Sequence, residues 1–298
     1  VEERTWIPEE PLDVRLALQP HQRGTGDPAW RLGADGAVWR TSRTPEGPST
    51  LRVSVRAGTV HGHAWGPGAG WALETLPALL GADDDVSGFL VRHDVLAEAA
   101  RRHPGLRIGR TGRVMEALVP AVLEQKVVGR EAWRAWRWLL ARYGEPAPGP
   151  APEGMRVVPE PEVWRQIPSW HWHRAGAEAV RARTIATAAW HAAKLEAAAT
   201  SEELDRLLRA LPGIGVWTSA EIRQRAFGDP DAVSVGDFHL AKLVGYALTG
   251  EKTDDAGMLR LLEPYAGHRH RATVLVWLSG RRPPARGPRM PVRDYRSF

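Results

Sequence analysis

Cysteine is absent from all 298 residues, so disulfides, thiolate-held zinc and iron–sulfur clusters are excluded together. No apolar run reaches the roughly 20 residues of a bilayer-spanning helix, and the opening residues carry no secretory pattern. The expectation is a cytoplasmic protein. Lysine is scarce: it occurs only at 126, 194, 242 and 252, so nearly all positive charge is arginine. The formal net charge is +5. Arg281, Arg282, Arg286, Arg289, Arg293 and Arg296 are opposed only by Asp294, so the excess sits in residues 281–298 and the rest is close to neutral. Such a tail is either a solvated basic end or an arm that seeks phosphate. Tryptophan, by contrast, is plentiful at 14. Most should pack in the core, leaving one or two as stacking platforms for a base.

A chain of this length buries a full core as one large domain or two ordinary ones. Residues 1–88 read as an α+β unit. Ala29–Leu32 and Ala37–Thr41 flank the turn-forming Asp35-Gly36, and Thr50–Val55 and Thr59–Trp65 continue an antiparallel meander with one buried face. Gly70–Leu80 has helical spacing and is expected to cover that face. Residues 89–280 read as helical, with segments over Asp94–Arg102, Val114–Val127, Glu131–Tyr143, 175–198, 201–210, 216–227, 238–248, 254–262 and 269–279. Glu145–Pro161 is a Pro/Gly-rich connection, and no internal repeat is present. The expected fold is therefore mainly α, a helical core with a small N-terminal antiparallel-sheet domain, ending in the basic tail.

Leu211-Pro-Gly-Ile-Gly-Val-Trp-Thr218 lies between two helical patterns, and Asp237 begins a further helix after Gly228-Asp-Pro-Asp-Ala-Val-Ser-Val-Gly236. Gly213 and Gly215 leave the backbone bare, so amides at a partly positive helix N-terminus can approach a phosphate closely. A grip of that kind holds nucleic acid without reading its sequence. The carboxylate would then act on whatever the grip presents. Two unit charges 4 Å apart attract by about 4 kcal/mol at an effective dielectric near 20. One aspartate can thus stabilise a sugar cation by about three powers of ten in rate. Asp237 also reads as an ordinary helix N-cap.

These residues resemble the signature of the helix-hairpin-helix DNA glycosylase superfamily, with the hairpin at about 203–227. The Pro-Gly-Ile-Gly-x-Trp-Thr string is most similar to the 3-methyladenine DNA glycosylase II branch. The resemblance implies a DNA glycosylase of base excision repair that flips a damaged, alkylated purine from double-stranded DNA, acts as a monomer and works on the bacterial nucleoid. It implies Asp237 as the catalytic acid. In bifunctional members a lysine at position 217 attacks the sugar. Tryptophan stands there, so the covalent route lacks its nucleophile and water should attack. Oxidised, deaminated or bulky-adduct bases are alternative substrates, and a non-catalytic helix-hairpin-helix DNA-binding protein is the alternative class.

Trp217 could stack on a cationic base or pack behind the hairpin. Glu221, one turn on, stands where the branch has an aromatic residue; it faces either the base or solvent. Trp277 matches a stacking tryptophan of the branch, with core packing as its other reading. Phe238 beside Asp237 completes the expected base pocket. For DNA contact the expectation is Gly213, Ile214, Gly215 and Thr218 from the hairpin, with His239, plus Gln125 and Lys126 entering the gap left by the flipped nucleotide. Gln125 and Lys126 read otherwise as a helix-end pair, and His239 as a surface histidine. No cofactor is expected beyond a monovalent cation on the main-chain carbonyls of Leu211 and Gly213. The pairs His171/His173 and His268/His270 lack further ligands at metal spacing.

Overall fold

The computed structural model describes residues 1–284; the basic tail beyond Pro284 lies outside the described residues. Five strands, β1 (Glu2–Trp6), β2 (Trp30–Leu32), β3 (Val38–Thr44), β4 (Gly47–Arg56) and β5 (Thr59–Trp65), form one antiparallel sheet in the order β1-β5-β4-β3-β2. The meander was legible; β1 and the short helix α1 (Val14–Leu18) were not. Inward residues Val38, Leu51, Val53 and Val60 pack on Leu18, Leu73, Leu76 and Leu80 in a single core.

The helix expected over Gly70–Leu80 is two, α2 (Ala69–Glu74) and α3 (Leu76–Leu79). Pro77 has no N–H for the carbonyl of Leu73. Arg4 Nη1, from β1, donates to that carbonyl instead at 2.9 Å.

The helical part comprises α4 (Asp94–Arg102), α5 (Val114–Leu123), α6 (Gly129–Tyr143), α7 (Pro161–Gln166), α8 (Ser169–Ala175), α9 (Ala179–Trp190), α10 (Ala192–Glu196), α11 (Ser201–Arg209), α12 (Val216–Ala226), α13 (Leu240–Thr249), α14 (Asp255–Leu262) and α15 (Arg269–Leu278). A two-residue strand pairing, β6 (Glu145–Pro146) with β7 (Arg156–Val157), ties down the Pro/Gly-rich loop. The pattern read as one helix over 175–198 divides at His191 into α9 and α10.

Two separate hydrophobic cores sit side by side. One gathers Leu118, Val122, Trp136, Leu139, Leu140, Trp164, Ile185, Leu204 and Ile222 from helices α5 to α12. The other joins α4 to α13, α14 and α15 through Leu96, Leu243, Val244, Met258, Leu262 and Leu275. The glycine hairpin belongs to the first core and the start of α13 to the second, so the two halves of the sequence signature meet where the cores abut. The sheet domain is fastened to α5 by Glu116, which accepts from Arg40 Nη2, Ser42 Oγ and the Arg43 amide at 2.6 Å each.

Candidate active site

The hairpin is built from α11, the turn at 210–215 and α12. Thr200 caps α11 by accepting from the Glu203 amide at 3.1 Å, and Ser219 Oγ donates to Asp205 Oδ1 at 2.6 Å, binding the two helices together. Gly213 is obligatory on two counts. Its φ is +87°, and a methyl group placed there would come within 2.1 Å of Thr184 Oγ1. Gly215, at the N-cap of α12, is different: a methyl group there meets nothing within 4 Å. The amides of the first turn of α12 have no acceptor inside the helix and point out past Gly215. Such amides can take an anion.

Asp237 stands across from that turn, partly exposed, at the start of α13. Its Oδ1 accepts from the amides of His239 (2.8 Å) and Leu240 (2.9 Å), and its Oδ2 accepts from Trp217 Nε1 at 3.2 Å. Oδ1 thus makes the helix-start hydrogen bonds that the capping reading expected, from two residues ahead of the N-cap position at His239. Oδ1 anchors the carboxylate on α13, while Oδ2 faces the hairpin. Trp217 reaches from the first turn of α12 and joins the two cores through that indole N–H.

Several expected roles are corrected. Phe238, expected in the base pocket, is 66% exposed, with Lys242 Nζ 4.2 Å from its ring centroid and His239 edge-on at 4.8 Å. Trp277 is 42% exposed and carries the Arg282 guanidinium 4.8 Å from its ring centroid. Gln125 is not free to enter DNA. Its Nε2 donates at 2.9 Å both to the Gly213 carbonyl and to Thr218 Oγ1, while Arg181 Nη1 holds its own carbonyl at 2.9 Å. Gln125 therefore braces the hairpin from the α5 side. Thr218 is 3% exposed with its hydroxyl taken up by Gln125, so only its main chain is available to a phosphate. Ile214 is buried and its amide donates to the Leu211 carbonyl at 3.2 Å, which withdraws it from the grip. His239 is exposed beside Asp237, where it was expected.

Lys126 is exposed at the turn between α5 and α6 with φ +56°, a conformation costly for any residue with a side chain. The helix expected to run on to Val127 ends at Leu123 for this reason. Leu211 and Gly213, the expected cation ligands, offer carbonyls that already accept from Ile214 N and Gln125 Nε2, leaving one lone pair on each. Among the described residues no cluster of three or more His, Asp or Glu has metal-binding geometry.

Below Trp217 the same face of α12 carries Glu221 and then Arg225. Glu221 accepts from Arg225 Nη1 at 2.8 Å and from the Ser234 hydroxyl. Ser234 in turn gives its carbonyl to the Asp237 amide at 3.2 Å, so this pair lies directly behind the aspartate. Burial alone would raise the Glu221 carboxyl, but Arg225, Ser234 and Arg23 more than offset it and hold the group below the usual carboxylate range. Arg23 comes from the sheet domain and is 6% exposed, with no hydrogen-bond partner for its Nε. On α15, His270 is pushed down to about 4 by burial, against the opposing pull of Glu221. His21, ringed by Arg40, Arg225 and Arg23, is likewise held neutral, chiefly by burial. The sequence placed Glu221 on this face by its i+4 spacing, and Arg225 follows at i+8. His21, Arg23, Ser234 and His270 converge only through the tertiary fold and carried no local signal.

No protein-family model matches the chain. Two curated sequences from Mycobacterium tuberculosis, each described as a probable bifunctional transcriptional activator/DNA repair enzyme AlkA, are 32% identical to it over 171 residues. That stretch is 56% of this chain and 32% of theirs, so the match spans about a third of the length of those relatives. Among solved structures, the 3-methyladenine DNA glycosylase of Archaeoglobus fulgidus superposes with a TM-score of 0.75 at 15% identity, covering 92% of this chain and 97% of that one. The apo form of Clostridium acetobutylicum 8-oxoguanine glycosylase/lyase gives 0.72 at 11% identity, covering 94% and 97%. The chain thus has the fold of these glycosylases, and over 171 residues it is similar in sequence to the relatives described as DNA repair enzymes AlkA.

Proposed function

We propose that the chain is a monofunctional DNA glycosylase that flips a damaged, alkylated purine out of double-stranded DNA and hydrolyses its glycosidic bond. The observation that carries this is Asp237: a partly exposed carboxylate held by three donors beside a bare-backbone hairpin, with tryptophan at 217. The amides beyond Gly215 take a phosphate of the damaged strand. Oδ2 of Asp237 then faces the sugar of the extruded nucleotide. As the bond between C1′ and the base nitrogen breaks, its electron pair leaves with the base, and the growing positive charge on the sugar is stabilised by the carboxylate. Water adds to C1′ and its proton passes to the carboxylate or to solvent, leaving an abasic site. A cationic alkylpurine departs as a neutral base and asks little of a general acid.

The placement of lysine supports hydrolysis over a covalent route. Position 217 offers no amine, and Lys242 Nζ is occupied at 3.2 Å by the Phe238 carbonyl and by the face of its ring. Lys126, exposed on its left-handed turn, would enter the space that a flipped nucleotide vacates. A monovalent cation on the spare lone pairs of Leu211 and Gly213 would steady the hairpin, and no step depends on it. The repair activities named for the relatives agree with this reading. The test is release of free base from methylated duplex DNA, with borohydride added in parallel. Free base and no trapped adduct are expected; a borohydride-trapped protein–DNA adduct would contradict the hydrolytic assignment.

A further inference from the structure

The polar cluster behind Asp237 is not the surface an apolar, stacking-based pocket would have. Glu221 is a half-buried, ionised acceptor with two lone-pair positions left after Ser234 and Arg225 have bonded. Arg225 is paired to it, with Nη1 spent on the Glu221 carboxylate and main-chain carbonyl, and the positive charge of Arg23, from the sheet domain, acts on it as well. His270 and His21 close the cluster as uncharged imidazoles. Other charged groups that act on it are Arg40, Asp229 and Arg271. An acceptor flanked by guanidinium groups is complementary to an edge that carries a ring N–H next to a carbonyl. A 6-oxopurine presents that pair at N1–H and O6, and a guanine-type base adds its 2-amino donor for the same carboxylate. A 6-aminopurine presents the opposite order, with an acceptor at N1, which would be set against Glu221.

Resting on the glycosylase reading above, we infer that Glu221, Arg225 and Ser234 form a specificity site for a flipped base with a lactam edge, the 6-oxopurine of a guanine- or inosine-type lesion. Trp217 and Asp237 act on the sugar end of the nucleoside, one helical turn up the same face of α12, and Glu221 reads its far edge. Alkylated guanine meets both requirements, a good leaving group and a lactam edge. Alkylated adenine meets only the first. Pyrimidine-diones such as uracil share the edge chemistry and differ in size, so the two sources of that edge are separable by experiment. A site built to hydrogen-bond one edge rejects a base lacking it far more strongly than an apolar slot rejects a misfit.

The experiment is single-turnover excision by the full chain from duplexes that each carry one lesion: 7-methylguanine, hypoxanthine, 8-oxoguanine, uracil, 3-methyladenine or 1,N6-ethenoadenine. The rates of spontaneous release are subtracted. The expected result is a rate enhancement at least about tenfold greater for a 6-oxopurine than for either aminopurine-derived base, with uracil slower than the oxopurines. Glu221→Gln should erase that ratio by slowing the oxopurines and sparing the aminopurine-derived bases. Equal or greater enhancement for 3-methyladenine overturns the inference, as does a Glu221→Gln variant that slows every substrate by one common factor. Uracil as the preferred substrate overturns the purine assignment. The wild-type panel decides the matter even where the variant fails to fold. Failure of the glycosylase reading itself looks different: no base is released from any duplex while DNA binding persists.

Discussion

At the scale of single residues, the site turns on how few side chains do two things. Asp237 caps α13 with one oxygen and presents the other to the hairpin, so the same contacts that start a helix also aim the carboxylate. Trp217 is the positioning residue. Its indole donor to a charged acceptor is worth roughly 1.5–3 kcal/mol. Trp217→Phe keeps the ring and removes the donor; excision should slow by about 10- to 100-fold. Single-turnover rates check this, and an unchanged rate would mean that the indole only packs. Asp237 and Trp217 were legible because hairpin and acid carry their own local pattern. Phe238 and Trp277 are exposed, which an aromatic side chain read in sequence does not reveal. Gln125 was misread because its partners, Gly213 and Thr218, come from 88 and 93 residues away.

At the scale of elements, the two hairpin glycines separate fold from function. Gly213→Ala meets a positive φ and the Thr184 hydroxyl together, and should cost about 2 kcal/mol or more of unfolding free energy. Gly215→Ala has open space around it and should leave stability within about 1 kcal/mol, yet weaken binding to duplex DNA by about tenfold by standing between amides and phosphate. Urea titration and DNA-binding isotherms of the two variants check the contrast. Equal losses of stability would contradict it. Lys126→Gly relieves a left-handed backbone and should raise the melting temperature while slowing excision; a lowered melting temperature would show that the turn is not strained. Long amphipathic helices and the β-hairpin were read correctly, since their periodicity is strong. The pieces missed were β1, α1, α7 and α8, all of seven residues or fewer. Such short elements are fixed by what they pack against: β1 exists because β5 offers it an edge.

At the scale of the whole molecule, three packed units meet around a polar junction in which half-buried His270 and His21 are uncharged and half-buried Glu221 is charged. Protonated His270 is tolerated in the unfolded chain at an ordinary value near 6.5 but in the fold only at about 4. Stability is therefore complete above about pH 6.5 and is lost as pH falls toward 4, by up to about 3 kcal/mol. Glu221 acts in the same direction, since its carboxyl is held below its ordinary value and its bonded, ionised form is lost with acid. Urea midpoints measured from pH 7.5 to 4.5 should fall with acid, and His270→Gln should flatten the decline. Parallel curves would place the acid sensitivity elsewhere. Of this junction only Glu221 was visible in the sequence, because the histidines reach it through the tertiary fold, which leaves no local trace. The central claim, that Asp237 drives hydrolysis, is tested most directly by Asp237→Asn, which keeps an N-cap of equal quality and removes the charge. Base release from methylated duplex DNA should fall at least about 1000-fold, with affinity for abasic-site DNA retained; excision at the wild-type rate would contradict the account.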